Sequence, residues 1–464
     1  MNPFGILFLC VLLSCLAGCP QEAFVMGTQL RAEGNRLLDD QDHEVVLRGI
    51  NARIEGLFDV TFDDGRMALE HIPPFGKEDL IFLKEQMGMN AFRIPINWSG
   101  LEPVEDGGLN AAYLANLDEL LDWCAETEIW CLVDLHQDAY SKEIGEDGAP
   151  LWAIQPPPTE LLEGPLEDLE ERRISQQVLE AFATFFGDRD GVQDAFIDML
   201  ERLTRHLKGK PFVAGLEIFN EPVGEDVEVL QFSRRAAEAI HAIDPHRLVV
   251  FEPNSLRNLR DYTDPMGGLL INNTAYAPHL YPEIFSGDKN NFENGDTTRL
   301  VDSTAAAKNE SEIHGAPLMV TEYGIAPYAE NGELWMNTLE DEMDKALASR
   351  FYWLYEEDSQ GNWGLYEADK VLREAWADVV ARPFPAAVTG EIQSFSFTDN
   401  AFSLSFKGEG VHRITVPTRW APQGVVVHCN DEAIDVEMRS GFLLAVCGDG
   451  PDNTSNLLAR PRDG

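Results

Sequence analysis

Along the chain, short apolar runs of β character alternate with amphipathic stretches of helical period. The runs cover residues 45–51, 91–97, 130–136, 213–222, 248–253, 274–281, 317–324 and 350–355, eight in all. Between them lie segments such as 114–127, 192–207 and 229–243, whose apolar residues recur at the spacing of one helix face. Nearly continuous apolar strands joined by helices predict a parallel sheet covered on both faces, and eight such units predict closure into a (β/α)8 TIM barrel over residues 25–382. Past Arg382-Pro-Phe-Pro385 the pattern changes to strict alternation, with strands at 392–398, 402–406, 412–416, 425–428 and 442–446. That spacing predicts a small C-terminal antiparallel β-sandwich over residues 386–450, followed by a disordered tail at 451–464. The proline-rich and then acidic stretch 156–171 reads as a long loop or short helix after the third strand.

Composition narrows the class. The 464 residues are 44% hydrophobic and 25% charged, which excludes disordered, collagenous and polytopic membrane chains. The formal charge of -45 repels phosphate backbones, so no nucleic-acid partner is expected. Only ten of the cations are lysine; the acidic surface reads as solubilising, with adaptation to high salt as the alternative.

Residues 6–16 form an apolar run too short to span a bilayer, followed by small residues, the layout of a signal peptide ending near residue 19. Leu16-Ala-Gly-Cys19 resembles the bacterial lipobox, although residues 2–4 carry no Lys or Arg. Lipidation at Cys19 would make the chain an exported lipoprotein in contact with the membrane through its anchor; the alternative is a soluble secreted protein. Of the remaining cysteines, Cys429 with Cys447 is the better candidate pair. All four, Cys124, Cys131, Cys429 and Cys447, read first as small buried hydrophobes that could pair in an oxidising compartment.

In a closed parallel barrel the chemistry sits at the C-terminal ends of the strands. There the second strand carries Arg93, the third His136 and Asp138, the fourth Asn220-Glu221-Pro222, the sixth His279 and Tyr281, the seventh Glu322-Tyr323, and the eighth Trp353. Carboxylates at strands four and seven face each other across the mouth, as glycosidic bond cleavage requires. A separation of about 5–5.5 Å lets one carboxylate attack directly with retention, whereas about 6.5–9.5 Å admits a water and gives inversion. Glu252 in Phe251-Glu-Pro-Asn254 is a further strand-end carboxylate. The sequence shows no zinc spacing, phosphate loop or nucleophile elbow, and Asp63-Asp64-Gly65 reads as a solvated turn, so neither metal nor cofactor is expected.

Glu217-Ile-Phe-Asn220-Glu221-Pro222 and Val320-Thr-Glu322-Tyr-Gly324 resemble the acid/base and nucleophile strands of glycoside hydrolase family 5. Arg93 in Phe-Arg-Ile-Pro, His136 in Asp-Leu-His-Gln-Asp, and His279 with Tyr281 in Pro-His-Leu-Tyr extend the likeness. Val133-Asp-Leu-His136-Gln-Asp138-Ala-Tyr-Ser141, Gly148-Ala-Pro-Leu-Trp152 and the segment 181–193 are most similar to the endoglycoceramidase subgroup.

The resemblance implies a retaining glycosidase acting on glycosphingolipid-type glycolipids, with Glu322 as nucleophile, ionised by Arg93 and Tyr281. Glu221 would be the acid/base, with a raised pKa. Asn220 would bind the sugar 2-hydroxyl, His136, Asp138 and His279 other hydroxyls, and Trp353 would form a stacking floor beside a site residue Trp152. Where endoglycoceramidases tend to carry a sugar-binding lysine after strand one, this chain has Asn51-Ala-Arg53-Ile-Glu55-Gly56. An apolar slot for the aglycone would be lined by Leu57, Phe58, Trp152, Ile154 and Phe285. The alternatives are an endo-β-glucanase or β-glucosidase acting on oligo- or polysaccharides, and a non-catalytic glycan-binding surface lipoprotein. A monomer is expected.

Overall fold

The computed structural model describes residues 24–285, 293–357, 363–367, 370–398 and 400–462. The signal segment and Cys19 therefore lie outside the described residues. Strands β1 (Leu30–Glu33), β2 (Arg36–Asp39) and β3 (His43–Val45) precede the barrel, which is built from β4 (Arg48–Asn51), β5 (Ala91–Ile96), β6 (Trp130–Leu135), β7 (Val213–Glu217), β8 (Val249–Phe251), β9 (Thr274–Tyr276), β10 (Met319–Tyr323) and β11 (Ser349–Tyr352). Each of the eight falls on one of the apolar runs, β11 starting one residue before its run. They pair in parallel in the order β10-β11-β4-β5-β6-β7-β8-β9, and bridges from Tyr276 to Leu318 and from Leu280 to Tyr323 close the ring. β5 and β6 are buried at all six positions, as a sheet with helices outside and packed side chains inside demands.

The N-terminal boundary is corrected by the strand pairing. β1–β3 do not enter the barrel. They extend a seven-stranded antiparallel sheet of order β1-β2-β3-β12-β15-β19-β18, where β12 is Pro385–Thr389, β15 Gly410–Thr415, β18 Glu437–Arg439 and β19 Phe442–Cys447. Leu30 and Leu37 pack in one cluster with Ala91, Leu132, Val250 and Phe351, side chains from the barrel strands. A clasp from the N-terminal segment thus joins the two domains.

The second sheet of the sandwich has the order β13-β14-β20-β16-β17, with β13 at Glu391–Thr398, β14 at Ala401–Lys407, β16 at Val425–Cys429, β17 at Glu432–Ile434 and β20 at Thr454–Pro461. The expected disordered tail is therefore a correction too: β20 is the central strand of this sheet. Its Ser455, Leu457 and Ala459 point inward while the residues between them are more exposed, an alternation that the preceding Gly-Asp-Gly-Pro-Asp-Asn run obscures. Cys429–Cys447 forms a disulfide that ties β16 to β19, one strand from each sheet. Cys124–Cys131 also pairs, against the reading of two separate buried thiols, and fastens the helix Ala111–Thr127 to β6. Among the described residues no helix is long and apolar enough to cross a membrane.

Candidate active site

Arg93 organises the barrel mouth. It is fully buried, and its Nε donates to Glu217 Oε2 at 2.6 Å while Nη1 donates to Asn51 Oδ1 at 2.9 Å and Glu322 Oε1 at 2.7 Å. Nη2 donates to Asn220 Oδ1 at 2.8 Å and lies 3.0 Å from Asp134 Oδ2 and 3.6 Å from Glu252 Oε1. One planar guanidinium on β5 thus fixes groups on or just past β4, β6, β7, β8 and β10, a task its rigid fork of donors suits better than a lysine.

Glu322, next to last in β10, has both oxygens engaged. Arg93 holds one and the Tyr281 hydroxyl donates to the other at 2.9 Å. Opposite stands Glu221, whose Oε1 lies 2.8 Å from His279 Nδ1 and accepts from Asn258 Nδ2 at 2.7 Å. The same His279 Nδ1 is 3.4 Å from Glu322 Oε2. One oxygen each of Glu221 and Glu322 and one His279 nitrogen all lie within 4.8 Å of one another. Glu221 has φ 40, left-handed backbone at a residue with a Cβ. Gln137 Nε2 holds its carbonyl at 3.1 Å and Glu252 Oε2 accepts its N–H at 3.0 Å. Such strain persists where neighbours over-determine it, as at functional sites.

The electrostatics revise one expectation. Burial pushes the Glu221 carboxyl up, but the His279 hydrogen bond and charge, followed by Arg173, pull it down to about 2. In the resting geometry Glu221 is thus a carboxylate, not the high-pKa acid that the resemblance implies. The protons reside on its neighbours. Burial raises Glu252 well above the carboxylate range, and raises Asp134 to about 7 against the pull of Arg93. His279 is raised well above the usual histidine value, because the charges of Glu252 and Glu322 outweigh its burial. Asp134 and Glu252 share Arg93 and His279 with neighbouring carboxylates, and in so dry an interior the shortage of nearby positive charge favours their protonated forms.

A cleft of about 250 Å³ is lined by Glu221, Glu322, Asn220, Asp138, Tyr281 and Trp353, among others. His136 packs parallel to Trp353, with ring centroids 5.7 Å apart. Its Nδ1 lies 2.6 Å from Asp134 while its buried Nε2, 3.9 Å from Asp138 Oδ2, has no hydrogen-bond partner among the described residues. Burial, and then the nearby Arg93, lowers the His136 pKa to about 4, which favours the neutral imidazole. Asp138 is held by Arg173 at 2.6 Å. Asn220 spends its Oδ1 on Arg93 and its Nδ2 on the Gln137 carbonyl.

Of the residues singled out in the sequence, Arg93, His136, Asp138, Asn220, Glu221, His279, Tyr281, Glu322 and Trp353 gather here. Trp152 does not, which corrects that assignment: it packs edge-on against Trp98 and its indole N–H donates to the Glu102 carbonyl. The proposed apolar slot is corrected likewise. Leu57, Phe58 and Ile154 are buried in the core, and of that group Phe285 alone lines the cleft, stacked on Trp363 at 6.4 Å.

Arg53, Arg173, Asn258 and Trp363 were not anticipated as site residues. Arg53, in the loop after β4, lines the cleft. A larger cavity of about 710 Å³ lies beyond its ion pair with Glu70, among Phe58, Asp59, Lys142 and Tyr113, but it contains neither Glu221 nor Glu322.

A sequence model described as Cellulase (glycosyl hydrolase family 5) matches residues 39–359. Endoglycoceramidase I of Rhodococcus hoagii (strain 103S) is 30% identical over 56% of this chain and 51% of its own length. An endoglycoceramidase of Hydra vulgaris is 22% identical over 72% of this chain and 70% of its own. The chain thus spans about half the length of the first of these relatives. Among solved structures, endo-glycoceramidase II from Rhodococcus sp. as its lactosyl-enzyme intermediate superposes with a TM-score of 0.76 at 22% identity, covering 92% of this chain and 100% of that one.

Proposed function

Because the chain belongs to glycosyl hydrolase family 5, we propose that it is a retaining β-glycosidase acting on the O-glycosyl bond of glycosphingolipid-type glycolipids. One observation carries the mechanism: Glu221 and Glu322 bring carboxylate oxygens within 4.8 Å in an open cleft. So short an approach of two oxygens supports direct attack, for which a separation of about 5–5.5 Å is typical, over the spacing of about 6.5–9.5 Å that an inverting enzyme keeps for its water.

Glu322 attacks the anomeric carbon as the bond to the leaving oxygen breaks, and Glu221, once protonated, delivers its proton to that oxygen. Water then enters on the vacated side. Glu221 takes a proton from it as its oxygen bonds the anomeric carbon, and Glu322 departs as a carboxylate. Asn220, His136 and Asp138 present polar groups to sugar hydroxyls, and Trp353 provides an aromatic floor.

The leaving-group side supports a lipid aglycone. Asn258, which touches Glu221, lies in a segment whose Leu256 and Leu259 are 40% and 47% exposed. Phe285 and Trp363 add an aromatic wall. The endoglycoceramidase relatives point the same way, whereas the family's Cellulase description favours the second reading, a β-glucanase or oligosaccharide β-glucosidase.

Purified protein incubated with glucosylceramide, lactosylceramide and a soluble β-glucan separates the readings. Release of intact lactose from lactosylceramide is expected. Cleavage of the soluble glucan alone would eliminate the glycolipid reading, and cleavage of none would favour a glycan-binding lipoprotein. Export with lipid attachment at Cys19 is part of the same proposal, and the two disulfides support an oxidising destination.

A further inference from the structure

Glu252 stands beneath the catalytic pair and touches no part of the open cleft. It is 5% exposed, at the end of β8. Its Oε2 accepts the backbone N–H of Glu221 at 3.0 Å and lies 3.4 Å from His279 Nε2. The opposite edge of the same imidazole, Nδ1, lies 2.8 Å from Glu221 Oε1. Glu252, His279 and Glu221 therefore form a closed ring: one contact runs through the imidazole and the other through the Glu221 backbone. Among the described residues neither Glu252 Oε1 nor His279 Nε2 has a hydrogen-bond partner in good geometry, and both are buried, so this edge of the ring is where a mobile proton has acceptors.

We infer that Glu252 is a positioning residue that supplies the acid/base with its proton through His279 and fixes the strained backbone of Glu221. The inference rests on the assignment of Glu221 as acid/base. In the resting enzyme Glu252 and His279 share one mobile proton, held either on Glu252, with His279 neutral and its hydrogen on Nδ1, or on His279 as an imidazolium beside the Glu252 carboxylate. On substrate binding His279 passes the Nδ1 hydrogen to Glu221 Oε1 while its Nε2 takes or keeps the mobile proton. The imidazole ends neutral in its other tautomer, Glu221 ends as the acid and Glu252 as a carboxylate 3.6 Å from Arg93. One proton has moved and no other reactant is needed. After water attacks the glycosyl-enzyme, Glu221 holds the proton taken from that water and the relay returns it to Glu252.

The groups facing the relay set its proton affinity. Arg93 from β5 favours the Glu252 carboxylate, and Glu217 from β7 opposes it. Around His279, the carboxylates of Glu221 and Glu322 and the Tyr281 ring complete the shell. Asp134 on β6, bonded to Arg93 and His136, competes for the same guanidinium.

The test compares octyl and 2,4-dinitrophenyl β-glycosides of one sugar, cleaved by the full chain and by Glu252→Gln. The octyl leaving group needs a proton and the dinitrophenolate does not. In Glu252→Gln, kcat/KM for the octyl glycoside should fall by about 10²-fold at pH 7, with the dinitrophenyl glycoside falling less than about tenfold. The alkaline limb of the octyl pH profile should move down by at least about one pH unit, since the proton must then sit on Glu221 itself. Glu252→Asp keeps a titratable carboxyl and should recover part of that limb. Parallel loss on both glycosides, or an unmoved alkaline limb in both variants, would overturn the inference while leaving the functional reading intact. A wild-type chain inert toward both glycosides would overturn the functional reading and this inference with it.

Discussion

Glu322→Gln should lose at least about 10⁴-fold in kcat on every substrate, activated or not, while KM and the melting temperature change little. The amide keeps the size of the carboxyl and can still accept from Tyr281, but it has no anionic oxygen with which to attack. Arg93 retains Glu217, Asn51 and Asn220 as hydrogen-bond partners, so the mouth of the barrel should keep its shape. Steady-state kinetics with a dinitrophenyl glycoside, beside a thermal melt, checks both halves. Retention of more than about a tenth of the rate would remove Glu322 from the nucleophile's role.

Glu221→Gln should separate substrates by leaving group. For alkyl and sphingoid glycosides a fall of about 10²–10⁴-fold is expected, the range that loss of a general acid covers. A dinitrophenyl glycoside should still form the glycosyl-enzyme at near-normal rate and then stall, because no base remains to activate water. A burst followed by slow turnover would appear in stopped-flow absorbance. Added azide needs no base, so it should accelerate the second phase and yield the β-glycosyl azide. Equal losses on both substrate classes, without azide acceleration, would mean that Glu221 serves the architecture of the ring with His279 and Glu252 rather than proton transfer.

The barrel was legible because its strands are buried on both faces, and runs such as 91–97 and 130–136 announce this without any tertiary knowledge. The site was legible for a related reason: polar residues that interrupt apolar strands at their C-terminal ends have few places to go except the mouth. What depends on contacts distant in sequence was hidden. The clasp β1–β3 looks like the start of a barrel until Val45 is seen opposite Ala387. β20 is disguised by the turn-forming run before it and a serine at its first inward position. Trp152 shares the composition of a sugar platform, yet Trp98 and the Glu102 carbonyl claim it.

Glu252 shows the limit most plainly. Phe251-Glu-Pro marks a strand-end carboxylate, but only the fold reveals that it sits behind His279 and not before the substrate. The charge state of Glu221 was equally out of reach, being set by an imidazole from another strand.

The central claim is that one sugar ring lies between Glu221 and Glu322 and bonds covalently to the latter. Incubation with an activated 2-deoxy-2-fluoro β-glycoside, followed by proteolysis and mass spectrometry, tests it directly. A single added fluoroglycosyl group is expected on the peptide containing Val320-Thr-Glu322-Tyr-Gly324, and none in Glu322→Gln. A label on Glu221 or elsewhere, or release of the fluorosugar with inverted configuration and no adduct, would contradict it.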